Sequence, residues 1–194
     1  MPKAAFIDRD GVINREVEYL HRIEDFEFID GVFDACRLLA DNGYRLVVVT
    51  NQSGIGRGYY GEAQYLALTR WMVARFADRG IVIDGVYHCP HHPRHGIGEY
   101  RMACECRKPK PGMLLQAARE HDIDLSRSLM FGDKEADVEA GRAAGVGATV
   151  LVRSGHPVDE HSTRADHVID SLGDCQALRK IILEQEAEKW LNRV

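Results

Sequence analysis

Apolar runs of strand length alternate along this chain with stretches whose apolar residues recur at helical spacing. Residues 4–7 are continuously apolar and predict a first strand. Val32, Cys36 and Leu39 fall on one helical face, and Asn42-Gly43 ends that helix. Residues 46–49 form a second apolar run, as in a strand covered on both faces. Residues 62–79 predict a longer helix with Leu66, Thr69, Met72, Val73 and Phe76 on one side and Gly80 as its stop. Residues 81–88 predict a third strand, and Pro111 begins a helix carrying Leu114, Leu115 and Ala118. Residues 129–131 and 149–152 predict later strands with a helix over 135–144 between them. Residues 168–169 predict a last short strand, and residues 178–190 a terminal helix with a charged outer face.

This alternation predicts the α/β class, a Rossmann-like parallel sheet with helices on both faces. Sites in such sheets lie beyond the carboxyl ends of the strands, which is where the polar clusters of this chain fall. Its 194 residues suit a single domain over 1–194. Only residues 89–111 are too polar and too rich in glycine and proline for a core element. The net charge of −5 argues against a nucleic-acid partner, though not against a small anionic substrate, which needs only a few placed cations. No apolar run has the length of a membrane span, and the chain starts without a secretory pattern, so a cytoplasmic protein with no membrane partner is expected.

Four clusters carry candidate chemistry. Asp8-Arg9-Asp10-Gly11 follows the first strand: one carboxylate there can hold Mg²⁺ and the other can work as acid and base. Thr50-Asn51-Gln52-Ser53-Gly54 follows the second strand and offers a hydroxyl and accessible amides to phosphate oxygens. Arg107-Lys108-Pro109 places two cations before a helix, Lys108 as a fixed charge and Arg107 as a bidentate clamp. Gly132-Asp133-Lys134-Glu135-Ala136-Asp137 adds two acids, Asp133 to complete a metal site and Asp137 to hold waters or backbone. Taken singly, each cluster is as well explained by a turn, a helix cap or a solvated surface pair.

Five cysteines are present, and three of them gather with histidines. Cys89-Pro90-His91-His92 is followed by Cys104-Glu105-Cys106. Three thiolates and one imidazole make a closed tetrahedral zinc site of the structural type. Either His91 or His92 supplies the imidazole, with His91 preferred because alternate residues of an extended chain share a side. A zinc-binding loop over about 89–107 would fix the position of Arg107 and Lys108, which follow it directly.

The four clusters in this order resemble the haloacid dehalogenase (HAD) superfamily of aspartate-nucleophile phosphatases. In that chemistry Asp8 attacks phosphorus, Mg²⁺, Lys108 and Thr50 stabilise the phosphoryl group, and Asp10 moves the protons. The runs from Asp8 to Asn14, from Val49 to Ile55, from Cys89 to Pro93 and from Cys104 to Met113 are similar to the D-glycero-D-manno-heptose 1,7-bisphosphate 7-phosphatase family. The likeness spans residue 8 to about 154, with Val12 standing where members often carry Thr.

The resemblance implies a HAD-like fold with no large cap domain and a small phosphorylated sugar as partner; a monomer is expected. It implies substrate contacts from Glu16, Val17, Glu18, Tyr19, Thr50, Asn51, Gln52, Ser53, Arg107, Lys108 and Lys134. It implies Mg²⁺ on Asp8, on Asp10 through its carbonyl and on Asp133, and zinc on Cys89, His91, Cys104 and Cys106. The product would be heptose 1-phosphate, for nucleotide-activated heptose of lipopolysaccharide or surface glycans. Two other readings are a histidinol-phosphate phosphatase, which shares the aspartate chemistry and a similar loop, and a non-catalytic zinc-stabilised binding module. The stretch after Gly155 carries no recognisable motif.

Overall fold

The computed structural model of the protein describes residues 1–191, and side chains of the terminal helix through 187. In chain order the elements are β1 (Lys3–Ile7), α1 (Val32–Asp41), β2 (Tyr44–Asn51), α2 (Ser53–Gly56), α3 (Glu62–Ala77), β3 (Gly85–Cys89), α4 (Gly112–Glu120), β4 (Leu129–Gly132), α5 (Glu135–Ala144), β5 (Ala148–Val152), β6 (His167–Ile169) and α6 (Cys175–Leu191). The strands form one six-stranded sheet in the order β3-β2-β1-β4-β5-β6, and every pairing is parallel.

The chain leaves β1 toward β2 and β3 on one side, then returns to lay β4, β5 and β6 on the other. The crevice at such a reversal opens beside the carboxyl end of β1. Register brings the neighbouring ends level with it: Ile7 pairs with Val48 and with Phe131.

Period-two alternation along the strands explains the two layers of core. Ala5, Ile7, Leu46, Val48, Leu129, Phe131 and Val150 face α1, α3 and α6, meeting Leu39, Met72, Phe76 and Leu178. Ala4, Phe6, Val47, Val49 and Met130 face the opposite way and meet Met113, Leu114 and Ala117 of α4 and Ala140 of α5. Burial on both faces is why these strands read as continuous apolar runs rather than alternating ones.

Two expectations need correction. The buried stripe of α3 is Tyr65, Leu68, Met72 and Phe76, and Leu66 is 43% exposed. The stripe is turned by about one residue because Tyr65 packs with Ile55 and Tyr60 beside the site, and Leu68 then follows three positions on. The third strand starts at Gly85, not at residue 81, and includes Cys89. Ile81 belongs to the helix end, its amide donating to the Phe76 carbonyl (3.0 Å). Asp84 makes the first contact with β2, exchanging hydrogen bonds of 2.8 and 2.9 Å with the Leu46 backbone. The short α2 has no apolar period to announce it. Trp71 packs against Phe26 and Phe28, whereas the side chain of Trp190 lies outside the described residues.

Candidate active site

Asp8 follows β1 directly, its amide hydrogen-bonded to the Phe131 carbonyl of β4 (2.9 Å). Its Oδ1 accepts from the Arg9 amide (2.8 Å) and pairs with Lys108 Nζ (3.0 Å). Among the described residues no hydrogen bond falls on Oδ2. Gly11 closes the turn after the acid pair at φ 81°, and a Cβ there would sit 2.5 Å from Asp133 Oδ2. Glycine is required on both counts.

Asp10 is encircled by donors. The Arg9 guanidinium forks onto it (2.9 to 3.1 Å), Asn14 Nδ2 donates to Oδ1 (3.1 Å) and Gln52 Nε2 donates to Oδ2 (3.0 Å). Gln52 Nε2 also donates to Thr50 Oγ1 (2.8 Å), and Tyr60 holds the Gln52 carbonyl (2.6 Å). One amide side chain thus spaces the acid at the end of β1 from the hydroxyl at the end of β2.

Lys108 reaches the site from the loop before α4. Asn51 clamps its main chain at both ends, donating to its carbonyl (3.0 Å) and accepting from its amide (3.1 Å). Its ammonium donates to the Val49 carbonyl (2.8 Å) and bridges Asp8 to Asp137, 2.6 Å away. Burial opposes the charge on Lys108, but Asp137 and Asp8 outweigh it and hold the ammonium above its usual range. Burial pushes the Asp8 carboxyl up to about 8; Lys108 pulls against this, and Asp137, Asp133 and Asp10 add to it.

Asp133, after β4, is buried, and its Oδ1 has no hydrogen-bond partner among the described residues. Its Oδ2 meets His156 Nδ1 at 2.5 Å. Burial raises the Asp133 carboxyl, with the His156 hydrogen bond pulling the other way. Carboxylate oxygens of Asp8, Asp133 and Asp137 all lie within 4.8 Å of one another. An unpartnered buried oxygen in an all-carboxylate set suits a hard divalent cation. Asp137 already spends one oxygen on Lys108 and the other on the Lys134 amide (3.0 Å), which leaves Asp8 and Asp133 as the side chains best placed to hold such an ion.

These groups open into a cleft of about 540 Å³. Glu16, Val17, Glu18 and Tyr19 form one wall, Thr50 to Ser53 the floor beside Asp8 and Asp10, and Arg107, Lys108 and Lys134 the cationic side. Every side chain that the resemblance assigned to substrate therefore lines this one cleft. Burial raises the Glu16 carboxyl, with Asp10 adding to the shift and Lys134 opposing it.

Next to Arg107, outside the cleft lining, Cys89, His91, Cys104 and Cys106 converge. Cys89 Sγ lies 3.6 Å from His91 Nδ1 and 3.4 Å from Cys104 Sγ; Cys106 Sγ lies 3.4 Å from His91 Nδ1 and 3.3 Å from Cys104 Sγ. A tetrahedral zinc ion sets such atoms roughly 3.5–3.8 Å apart, so the cluster could hold one with little adjustment. His91, not His92, is the histidine in the cluster. His92 instead accepts from the amides of Arg94 and His95. Arg107 ties the cluster to the cleft by donating to the His91 carbonyl (3.2 Å).

Residues 105–175 match the HAD-hydrolase-like family. Over 172 residues the chain is 54% identical to D-glycero-beta-D-manno-heptose-1,7-bisphosphate 7-phosphatase of Yersinia pestis, covering 88% of this chain and 92% of that one. The chain belongs to the D-glycero-beta-D-manno-heptose-1,7-bisphosphate 7-phosphatase family. The Escherichia coli K12 relative of the same name is 53% identical over 179 residues, 91% of this chain and 94% of that one. Among solved structures, a HAD-like phosphatase from Mesorhizobium loti superposes with a TM-score of 0.80 at 34% identity, covering 93% of this chain and 87% of that one. The D,D-heptose 1,7-bisphosphate phosphatase of B. bronchiseptica, complexed with magnesium and phosphate, superposes with a TM-score of 0.77 at 30% identity, covering 94% and 99%.

Membership of this heptose-bisphosphate phosphatase family agrees with the HAD-like sheet seen here, and it gives the histidinol-phosphate reading no support. Arg9 and His156 are among the site residues that escaped the sequence reading. Arg9 is 1% exposed and holds Asp10, yet in sequence it is only the variable position of D-x-D. His156 lies in the stretch that carried no motif. Ser154, which donates to the Gly11 carbonyl (2.6 Å), steers the chain so that His156 meets Asp133.

Proposed function

We propose that the protein is a magnesium-dependent phosphatase that removes the C7 phosphate of D-glycero-β-D-manno-heptose 1,7-bisphosphate through an aspartyl-phosphate on Asp8. The observation that carries this reading is the Asp8 carboxylate itself. Oδ1 is fixed by Lys108 and the Arg9 amide, and Oδ2 is unpartnered beside a cleft lined with phosphate-binding groups. The names of the relatives, and the magnesium and phosphate in the B. bronchiseptica structure, supply the substrate and the ion.

In this scheme Asp8 Oδ2 attacks phosphorus, and the bond from phosphorus to the C7 oxygen breaks with its electron pair leaving on that oxygen. Asp10 gives the departing oxygen a proton. Water then attacks the aspartyl-phosphate, Asp10 takes its proton, and phosphorus parts from Asp8. Atoms balance as ester plus water to alcohol plus phosphate. Lys108 offsets the charge gathering on the phosphoryl oxygens, and the Thr50 hydroxyl and the nearby amides orient them. Arg9, Asn14 and Gln52 fix the orientation of the Asp10 carboxylate. Asp8 and Asp133 would hold Mg²⁺, which supplies positive charge to the phosphoryl oxygens when bound.

A divalent ion binds the carboxylate form of Asp8, so below pH 8 it must displace a proton. Apparent Mg²⁺ affinity is therefore expected to rise with pH up to about 8 and level off above it, by up to roughly tenfold per unit. Calorimetry at pH 6.5 in two buffers of different ionisation enthalpy should show close to one proton released.

Cys89, His91, Cys104 and Cys106 would hold a structural zinc ion that clamps the loop before Arg107 and Lys108. The free thiols of this loop suit a reducing cytoplasm, and one chain carries the whole proposed site, as a monomer requires. Stripping zinc with a chelator and restoring Mg²⁺ is expected to raise KM at least about tenfold while the helix and sheet signals in circular dichroism persist. Metal analysis beside steady-state kinetics checks this.

Relative kcat/KM on both anomers of the heptose bisphosphate and on histidinol phosphate tests the reading as a whole. The β anomer is expected to lead. Preference for histidinol phosphate would overturn the substrate assignment.

A further inference from the structure

A second cavity of about 510 Å³ lies between the end of α2 and residues 94–101 of the cysteine-bearing loop. It is lined by Arg57, Tyr59, Arg94, His95, Ile97 and Arg101 together with two glycines, and by no carboxylate. The chain holds 30 acidic residues against 25 basic ones, so the lack of an acid among three arginines is not a matter of supply. None of the three has a salt bridge among the described residues. Arg101 donates to the Arg94 carbonyl (2.9 and 3.2 Å), which folds the loop back and sets the two side by side. Arg57 lies over the Tyr19 ring (5.7 Å), and its Nε is buried with no hydrogen-bond partner among the described residues.

Like charges brought into one concavity repel each other, and a bound anion relieves the repulsion. Guanidinium groups offer the forked donors that match phosphate oxygens, and Tyr59 and Ile97, both exposed, offer an apolar edge beside them. We infer that this cavity binds the phosphate group of a phosphorylated small molecule, with Arg57, Arg94 and Arg101 as its cationic lining.

The cavity is separate from the proposed reaction centre but touches it. Tyr19 lines the cleft while packing on Arg57 and, edge to face, on Tyr59 (4.5 Å), both of which line the cavity. The Ile97 amide donates to the Gly56 carbonyl (2.8 Å), so the cavity wall is also fastened to the helix that follows the Thr50 loop. An anion that draws Arg57 toward itself would change the support beneath Tyr19. The phosphate can come from the far end of a bisphosphate in the cleft or from a second molecule.

The test is a titration of the full chain with inorganic phosphate, followed through histidine imidazole resonances. His95 reports the cavity and His156 reports the cleft, with both signals assigned by His→Gln variants. The His95 signal is expected to move and saturate. Arg94→Ala should weaken that response about tenfold or more while the His156 response stays unchanged, and Arg57→Gln should weaken the His95 response to a similar degree. A His95 signal unmoved up to about 10 mM phosphate, where a millimolar site is mostly filled, would overturn the inference. So would a response equal in wild type and in Arg94→Ala, an exposed position whose change spares the core. Because His156 is read separately, failure of the cavity and failure of the proposed active site give different results. A raised KM for a bisphosphate but not for a monophosphate substrate in Arg94→Ala identifies the far phosphate as the source; equal KM values identify a separate molecule.

Discussion

Asp8→Asn is expected to lower kcat by on the order of 10⁴-fold or more while the protein stays folded. An amide cannot form the acyl phosphate, so the loss falls on the chemical step and not on substrate binding. The fold should survive because Asn keeps the shape of Asp and its oxygen can still accept from the Arg9 amide, and because Lys108 keeps Asp137 as a counter-ion. Single-turnover phosphate release gives the rate, and circular dichroism with a urea melt gives the fold. Turnover within about tenfold of wild type would remove Asp8 from the reaction.

Lys108→Met should damage both activity and stability. The substitution keeps the stem and deletes the charge, leaving Asp8 and Asp137 facing each other in a buried site. Breaking a buried pair from one side costs about 3–5 kcal/mol. Removing a placed cation from the phosphoryl group costs about 10²–10³ in kcat.

The stability loss carries a pH signature in metal-free protein. Asp8 is raised in the folded state from 3.8 to about 8. Its burial therefore weakens the folded state once pH exceeds the unfolded value, and does so increasingly toward pH 8. Removing Lys108 raises Asp8 further, so in the variant the penalty goes on growing above pH 8. Below that pH Asp8 is protonated in both folded proteins and adds nothing to the difference between them. The gap between wild-type and variant urea midpoints should therefore widen above about pH 8. A gap that does not widen there would mean that the ammonium does not neutralise Asp8.

Much of the sheet was legible because burial on both faces writes strands as unbroken apolar runs. β1, β2, β4 and β5 were all located within a few residues of their ends. Elements without that signature were less visible. The start of β3 was misplaced because Ile81 is apolar for the sake of the helix end it caps, and Val82 beside it is 71% exposed. The buried side of α3 was misjudged at Leu66, since nothing local says that Tyr65 turns inward to reach Ile55 and Tyr60.

The candidate site was legible where chemistry clusters in sequence and illegible where folding assembles it. The acids after β1 and β4 stand out as runs, and so do the cations after Cys106. The reach of Asn51 across 57 positions to clamp Lys108, and of His156 across 23 to meet Asp133, exists only once the strand ends are side by side. Arg9 is the sharper case. An arginine between two acids reads as a solvated residue, yet here it is buried against Asp10 and the Leu20 carbonyl (3.1 Å).

The central claim is that phosphorus becomes bonded to Asp8. Crystals grown with Mg²⁺ and beryllium fluoride test it most directly, because the trifluoride mimics a phosphoryl group on an acyl oxygen. The account predicts continuous density from Asp8 Oδ2 to beryllium, with Lys108 and Thr50 on the fluorines. Density on Asp10, on a histidine or on no side chain at all would contradict it.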